Sequence, residues 1–259
     1  MPKLIILGSS YAVPNKAHEN THMAVVGQER TLMIDCVSNP IVRMEEAGLP
    51  LNSLTDLIMT HFHPDHISGV PLLLMDMWLL GRKRPLNLYG LPHVVDRMER
   101  LMDDYGWQRW PNFYPVEFHR IPEQEMTPVM SCDEFRVFTS PVKHFIPNIG
   151  VRVDFPLSKK SFVYSSDTEP CPSVVRLAQG VDILFHEATV VSFEPTASAV
   201  GHSSAFQAGD IAREAGAKLL YLIHYPSQGL NDASIIIPQA QKAFDGEVRL
   251  AVDLMEINF

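Results

Sequence analysis

Short apolar runs alternate with longer amphipathic segments along most of the chain. The runs are rich in Leu, Ile and Val and are bounded by polar residues, Gly or Pro, which is typical of strands buried on both faces. The predicted strands contain KLIILG, TLMIDC, LIMT, LNLYG, SFVYSS, VDILFH, KLLYLIH and EVRLAVDL.

Segments with apolar residues at three- and four-residue steps lie between these runs and are predicted to be helices. Residues 39–48, residues 65–80 and the segment HVVDRMERLMDDYG have this pattern. Ser204 and Gln207 form a capping box that opens a further helix, and Gly216 ends it. Helices interleaved with apolar strands predict the α/β class, with sheets covered by helices.

The middle of the chain, residues 107–154, has a different pattern. The runs VEFHRI, EFRVFTS and GVRVDF alternate between apolar and polar residues or are rich in β-branched residues, with Pro between them. This pattern predicts an antiparallel sheet.

Composition and length favour one domain, residues 1–259. The chain is 46% hydrophobic and shows neither a linker-like segment nor a repeat. Its net charge of -9 opposes binding to a polyanion except at a local basic patch. The densest basic run, GRKRP with Arg82, is more typical of a solvated loop than of a phosphate site.

Three widely spaced cysteines, Cys36, Cys132 and Cys171, fit reduced thiols better than a disulfide framework. The N-terminal apolar run is too short for a signal peptide. The longest apolar stretch contains Asp76 and is too short to span a bilayer. We therefore expect a cytoplasmic protein that does not enter a membrane.

Four predicted strands run into ionisable side chains at their carboxyl ends. LIMT leads to His61, FVYSS to Asp167, DILF to His186 and Glu187, and LLYLI to His224. Because functional sites of such folds lie at the carboxyl ends of strands, we expect these side chains to meet.

The motif HFHPDH, residues 61–66, has the spacing of a metal site. His61 and His63 are two positions apart in an extended segment and point the same way, whereas Asp65 and His66 serve a second centre. Imidazole and carboxylate suit zinc and similar divalent metals. We expect the following ligands: His61, His63 and His144 on one metal; Asp65, His66 and His224 on the other; Asp167 bridging both.

These motifs resemble those of the metallo-β-lactamase fold, a four-layer αββα sandwich with a dinuclear metal site. HEAT (His186–Thr189) and GHSS (Gly201–Ser204) further resemble ribonuclease Z, the endonuclease that trims tRNA 3′ ends. The opening LGSSYAVP and Asp35 also match that family's first motif. The resemblance covers nearly the whole chain.

The chain departs from ribonuclease Z in one important respect. His144 and Asp167 are 23 positions apart, which leaves no room for the protruding arm that grips tRNA in that family. HYPSQGL, which begins at the last ligand His224, and Val37 also differ from its usual motifs. Processing of tRNA is therefore doubtful, whereas the catalytic residues are present.

The resemblance implies a dinuclear metal-dependent phosphodiesterase, with a metal-bridging hydroxide as nucleophile and zinc, manganese or iron as the metal. Asp65 would orient that water or accept its proton. His202, assisted by Glu187, would steady the transition-state oxygen and protonate the leaving group. Asp35 would accept hydrogen bonds from the metal loop, and His186 would orient its neighbours.

Two other functions stay open at this point. The same site could hydrolyse a carboxylic ester, lactone, thioester or β-lactam, or the metals could be purely structural. The substrate would be a small phosphodiester or ester, with RNA as a less favoured alternative. The resemblance also allows a homodimer.

Overall fold

Two seven-stranded mixed sheets form the framework of the protein. The computed structural model describes residues 1–190, 201–227 and 233–259. The first sheet contains β1 (Lys3–Gly8), β2 (His22–Val26), β3 (Thr31–Ile34), β4 (Leu54–Ile58), β5 (Leu86–Gly90), β6 (Val116–Arg120) and β14 (Glu256–Asn258). The second contains β7 (Thr127–Ser131), β8 (Arg136–Val142), β9 (Asn148–Phe155), β10 (Lys160–Tyr164), β11 (Ile183–Glu187), β12 (Leu219–Ile223) and β13 (Glu247–Leu250).

Helices cover the outer faces of the sheets. They are α1 (Pro40–Glu46), α2 (Pro64–Ile67), α3 (Val70–Leu79), α4 (Pro92–Asp104), α5 (Pro172–Leu177), α6 (Ala205–Ala215) and α7 (Ala233–Gln241), with short 3-10 helices at Leu51–Ser53 and Trp107–Arg109. The predicted capping box of Ser204 and Gln207 is present, and Gly216 ends α6 in the left-handed conformation. None of the helices in the described ranges is long and apolar enough to span a bilayer.

The central strands of the second sheet, β10, β11 and β12, have two apolar faces. In β11, Ile183 and Phe185 belong to the large core shared with the first sheet, whereas Leu184 packs in the core formed with α5, α6 and α7. Because successive strand residues point to opposite faces, one strand serves both layers. The predicted α/β sandwich is confirmed.

The helix predicted over residues 65–80 is interrupted, and α2 and α3 replace it. Gly69 lies at the break, where its N–H donates to the Cys36 carbonyl at 2.9 Å. A Cβ at Gly69 would lie 2.7 Å from the carbonyl carbon of Val37. The chain bends here because the helix must pass directly over the turn that follows β3.

The prediction for residues 107–154 is half right. β8 and β9 pair antiparallel, as expected, but β6 pairs parallel to β5 in the first sheet. The alternation of β6 reflects its position at a sheet edge, and the crossover through α4 makes it parallel. β7, which contains Pro128, was not predicted.

Arg82 is buried, contrary to the prediction of a solvated basic loop, with 2% of its surface exposed. Its guanidinium donates to the carbonyls of Leu54, Arg84 and Pro85 and lies over the Tyr114 ring. Arg82 therefore fastens the loop to the strands and is not available to a phosphate.

Candidate metal centre

The polar strand ends meet at one edge of the two sheets, where the structure brings together four overlapping groups of ligand atoms, and two of these groups contain the predicted ligands. Within each group the atoms all lie within 4.8 Å of one another. The first group is His61, His63 and His144, and the second is Asp65, His66, Asp167 and His224.

The first group has the spacing of a zinc site. His61 Nε2 lies 3.0 Å from His63 Nδ1, which lies 3.2 Å from His144 Nε2. Tetrahedral zinc with ordinary zinc–nitrogen bonds separates its ligand nitrogens by about 3.3 Å. The three rings therefore fit around one ion.

Asp167 faces both groups. Its Oδ1 lies 3.4 Å from His66 Nε2 and 3.4 Å from His224 Nε2, and its Oδ2 lies 3.9 Å from His61 Nε2. Asp65 Oδ2 approaches His224 Nε2 at 3.5 Å. This is the arrangement expected of a bridging carboxylate.

Hydrogen bonds outside the groups fix which nitrogen faces inward in four of the five rings. His144 donates from Nδ1 to the Gly201 carbonyl at 2.7 Å, and His66 donates from Nδ1 to Asp35 at 2.7 Å. In both rings Nε2 keeps its lone pair for a metal.

Two hydroxyl groups do the same for His61 and His224. The Thr60 hydroxyl donates to Asp35 and therefore accepts from His61 Nδ1 at 3.1 Å. The Thr189 hydroxyl donates to the His224 carbonyl and accepts from His224 Nδ1 at 2.9 Å. Again Nε2 is free to act as a ligand.

Three buried atoms at the centre have no hydrogen-bond partner among the described residues: His66 Nε2, His224 Nε2 and Asp167 Oδ1. They face one another, and burying such atoms unpaired is costly. A divalent cation would satisfy all three at once, so the residues fit the predicted metals.

His202 and Glu187 lie beside the groups. Glu187 is fully buried and accepts from His202 Nδ1 at 2.9 Å, as well as from the N–H groups of Thr168 and Thr189. The His202 ring stacks over His224 with centroids 6.0 Å apart. Burial lowers the pKa of His202, but the hydrogen bond and charge of Glu187 outweigh it and raise that pKa above its ordinary value.

Asp35 lies where the prediction requires. It accepts from the Thr60 N–H and hydroxyl and from His66. His186 does not reach the two groups: its Nδ1 donates to the Glu187 carbonyl at 2.9 Å. Since side chains alternate along β11, His186 faces the helices when Glu187 faces the site.

Sequence reasoning missed Thr60 and Thr189 as partners of the ligands, although Thr189 belongs to the HEAT motif. It also missed the left-handed backbone at Asp35, Ser166 and His224, with φ of 60°, 54° and 51°. Such conformations are costly for residues other than Gly and are common at functional sites. No local signal in the sequence predicts them.

Comparison of the sequence with known proteins identifies the family to which the chain belongs. Residues 30–225, which include all seven predicted ligands, match the family model described as beta-lactamase superfamily domain. Ribonuclease Z of Methanothermobacter thermautotrophicus is 28% identical over 305 aligned positions, covering 99% of this chain and 96% of that protein. The alignment is longer than the 259 residues of this chain, so that relative has residues without a counterpart here.

Solved structures agree with this fold. The metallo-beta-lactamase fold protein YhfI from Bacillus subtilis superposes with a TM-score of 0.82 at 20% identity, covering 99% of this chain and 98% of that one. Human tRNase Z, short form, gives a TM-score of 0.79 at 23% identity, with the same coverage. The resemblance predicted from the motifs is confirmed.

Proposed function

Because the chain belongs to the beta-lactamase superfamily, we propose that it is a ribonuclease Z-like, metal-dependent phosphodiesterase. The observation that carries this proposal is the pair of ligand groups joined by Asp167, with His202 and Glu187 beside them. Two-metal sites with a shared carboxylate suit in-line displacement at phosphorus.

The ligand set supports two divalent ions, most simply zinc. It holds five imidazoles and two carboxylates and no thiolate, which suits zinc and also permits manganese or iron. When bound, the ions would lower the pKa of a water and neutralise charge on the phosphate oxygens.

The remaining roles belong to side chains of the chain itself. Asp65 belongs to the second group and is its one partly exposed member, so it can orient a water and accept its proton. His202 commits Nδ1 to Glu187, and its other nitrogen can hold a proton for the leaving oxygen. Asp35 keeps His66 in place, and we assign His186 a supporting role through the Glu187 carbonyl.

We propose a small or nucleotide-like phosphodiester as the substrate, ahead of RNA. The interval between His144 and Asp167 is a turn followed by β9 and β10, without a tRNA-gripping arm. The net charge of -9 also opposes a long polyanion. Because the chain is similar to ribonuclease Z, short RNA ends are the second candidate substrate.

Side-by-side rates test the reaction class. Protein loaded with zinc, manganese or iron should hydrolyse bis(p-nitrophenyl) phosphate faster than p-nitrophenyl acetate or a β-lactam reporter. Full metal loading without phosphodiester turnover, or a clear preference for the carbonyl substrates, would overturn the proposal.

Replacement of Asp65 separates catalysis from a structural metal role. Asp65→Ala should abolish turnover while circular dichroism stays unchanged, and the exposed Asp104→Ala on α4 is the matched control. Unchanged turnover in Asp65→Ala would favour a purely structural site.

We further propose a homodimer formed through the apolar outer face of α1 and α3. Leu79 and Leu80, at the end of α3, are 65% and 62% exposed, and Leu80 lines a groove together with Ile41 of α1. Exposed apolar surface of this kind marks interfaces. Sedimentation should show a dimer, and Leu79→Glu together with Leu80→Glu should give a monomer. A monomeric parent protein would contradict this.

Two broader expectations are proposals as well. Residues 1–259 should unfold as one domain, because the main core joins Leu4 near the start to Phe259 at the end; two separate calorimetric transitions would contradict it. A cytoplasmic location is supported by three free cysteines, and cell fractionation would test it.

A further inference from the structure

Phe145 presents an aromatic ring to solvent directly beside the metal centre. It follows the ligand His144 in the turn between β8 and β9, and 56% of its surface is exposed. A single exposed apolar residue is ordinary in a soluble protein. The surroundings of this ring, however, hold it in one place.

The Phe145 ring packs against side chains at the edge of the metal centre. It contacts the rings of His144 and His202 edge-on, with centroids 5.1 Å and 5.9 Å away. Two of its carbons lie 2.7 Å from the position that a Cβ on Gly201 would occupy, and Gly201 has a φ of +84°. Only glycine at this position lets the ring lie against the GHSS segment.

The turn that carries Phe145 is fastened on both sides. The Gly201 N–H donates to Glu169 at 2.9 Å, and the other Glu169 oxygen pairs with Lys143 at 2.7 Å. The Glu169 N–H donates back to the Lys143 carbonyl, and His144 donates to Gly201. The ring is therefore positioned before a substrate arrives, which reduces the entropy lost on binding.

We propose that Phe145 is a platform for an aromatic group, an aryl ring or a nucleobase, attached to the scissile phosphate on the side of His202. This inference rests on the proposed phosphodiesterase function and specifies its substrate class: aryl or nucleoside phosphodiesters are preferred to alkyl ones. An exposed, fixed aromatic face gains from offset stacking with any flat ring. The contact with His202 places the platform on the leaving-group side.

Binding of two phosphate monoesters, which carry the organic group on the phosphorus as the substrate does, tests the platform without turnover. Phenyl phosphate and methyl phosphate carry the same dianion and differ only in the organic group. Titration calorimetry on zinc-loaded protein should show that Phe145→Ala weakens phenyl phosphate about ten-fold, with methyl phosphate unchanged within about two-fold. Phe145→Trp should restore the preference, and Leu157→Ala, an exposed apolar position in the β9–β10 loop, is the matched control.

Kinetics give a second readout. With bis(p-nitrophenyl) phosphate, Phe145→Ala should raise KM about ten-fold and change kcat little, because the hydrogen bonds that hold His144 and His202 do not involve Phe145. A loss of phenyl and methyl binding in parallel, or no loss of either, would overturn the platform.

The two proposals fail in different ways. Phe145-dependent selectivity for phenyl phosphate in a protein that does not hydrolyse phosphodiesters would sustain the platform and refute the proposed reaction. Turnover of bis(p-nitrophenyl) phosphate without any dependence on Phe145 would sustain the proposed reaction and refute the platform.

Discussion

The floor of the site and its rim are built in different ways. The floor, formed by His66, Asp167 and His224, is buried, and its two imidazoles each have a separate partner outside the site. The rim, formed by His202 and Phe145, is partly open, and His202 depends on the single carboxylate of Glu187.

This difference separates two properties of the protein. Hydrogen bonds to partners outside the site hold the buried ligands of the floor at fixed distances and set the affinity for metal. The rim side chains face the substrate and are not assigned to the ions, so they can change without loss of the metals, and they set rate and substrate preference. Substitutions in the two regions should therefore affect different measurements.

The largest effect is expected from Asp167→Ala in the floor. Both ligand groups lose the carboxylate they share, so metal content and activity should fall together. The value of kcat/KM should fall by more than about 1,000-fold, because the loss of a residue that only hydrogen-bonds to a ligand already costs about 10- to 100-fold. Metal analysis and kinetics measure this. Asp210→Ala, an exposed position on α6, is the control, and full metal content in Asp167→Ala would contradict the shared role.

A rim substitution, His202→Ala, should lower kcat by about 100-fold or more and leave the metal content unchanged. The lost group is the proposed proton donor to the leaving oxygen and is not needed to hold an ion. A phosphodiester with a very acidic leaving group should recover most of the rate. Loss of metal in this variant would show that His202 helps to hold an ion and would contradict its assignment to the rim.

Asp35→Asn tests the support beneath the floor. The amide is a weaker acceptor for His66 than the carboxylate, so zinc affinity should fall about 10- to 100-fold, while kcat at saturating zinc stays near that of the parent protein. Competition with a chromophoric chelator measures the affinity. Equal affinity in variant and parent would show that Asp35 does not orient the ligand.

The smallest effect is expected from Glu169→Gln at the rim. Lys143 is 63% exposed, so its ion pair with Glu169 contributes less than about 1 kcal/mol to stability. The melting temperature should change little, and kcat/KM for an aromatic substrate should fall only a few-fold. A large loss of metal would show that the ion pair between Glu169 and Lys143 helps to hold the metal ligands.

The sequence predicted the floor better than the rim. HFHPDH is a contiguous motif, and the strand-end pattern located Asp167 and His224 because parallel strands end at one edge. The apolar runs likewise predicted most strands and the α/β class.

Features that depend on close packing could not be predicted. The break at Gly69, the burial of Arg82 and the parallel pairing of β6 follow from neighbours distant in sequence. Phe145 was not singled out either, because its contacts with Gly201 and His202 join segments more than 50 positions apart.

Anomalous scattering at the zinc edge from crystals grown with zinc tests the central claim most directly. We expect two strong peaks, one among His61, His63 and His144 and one among Asp65, His66 and His224, with Asp167 between them. A single peak, none, or peaks away from these residues would contradict a dinuclear site.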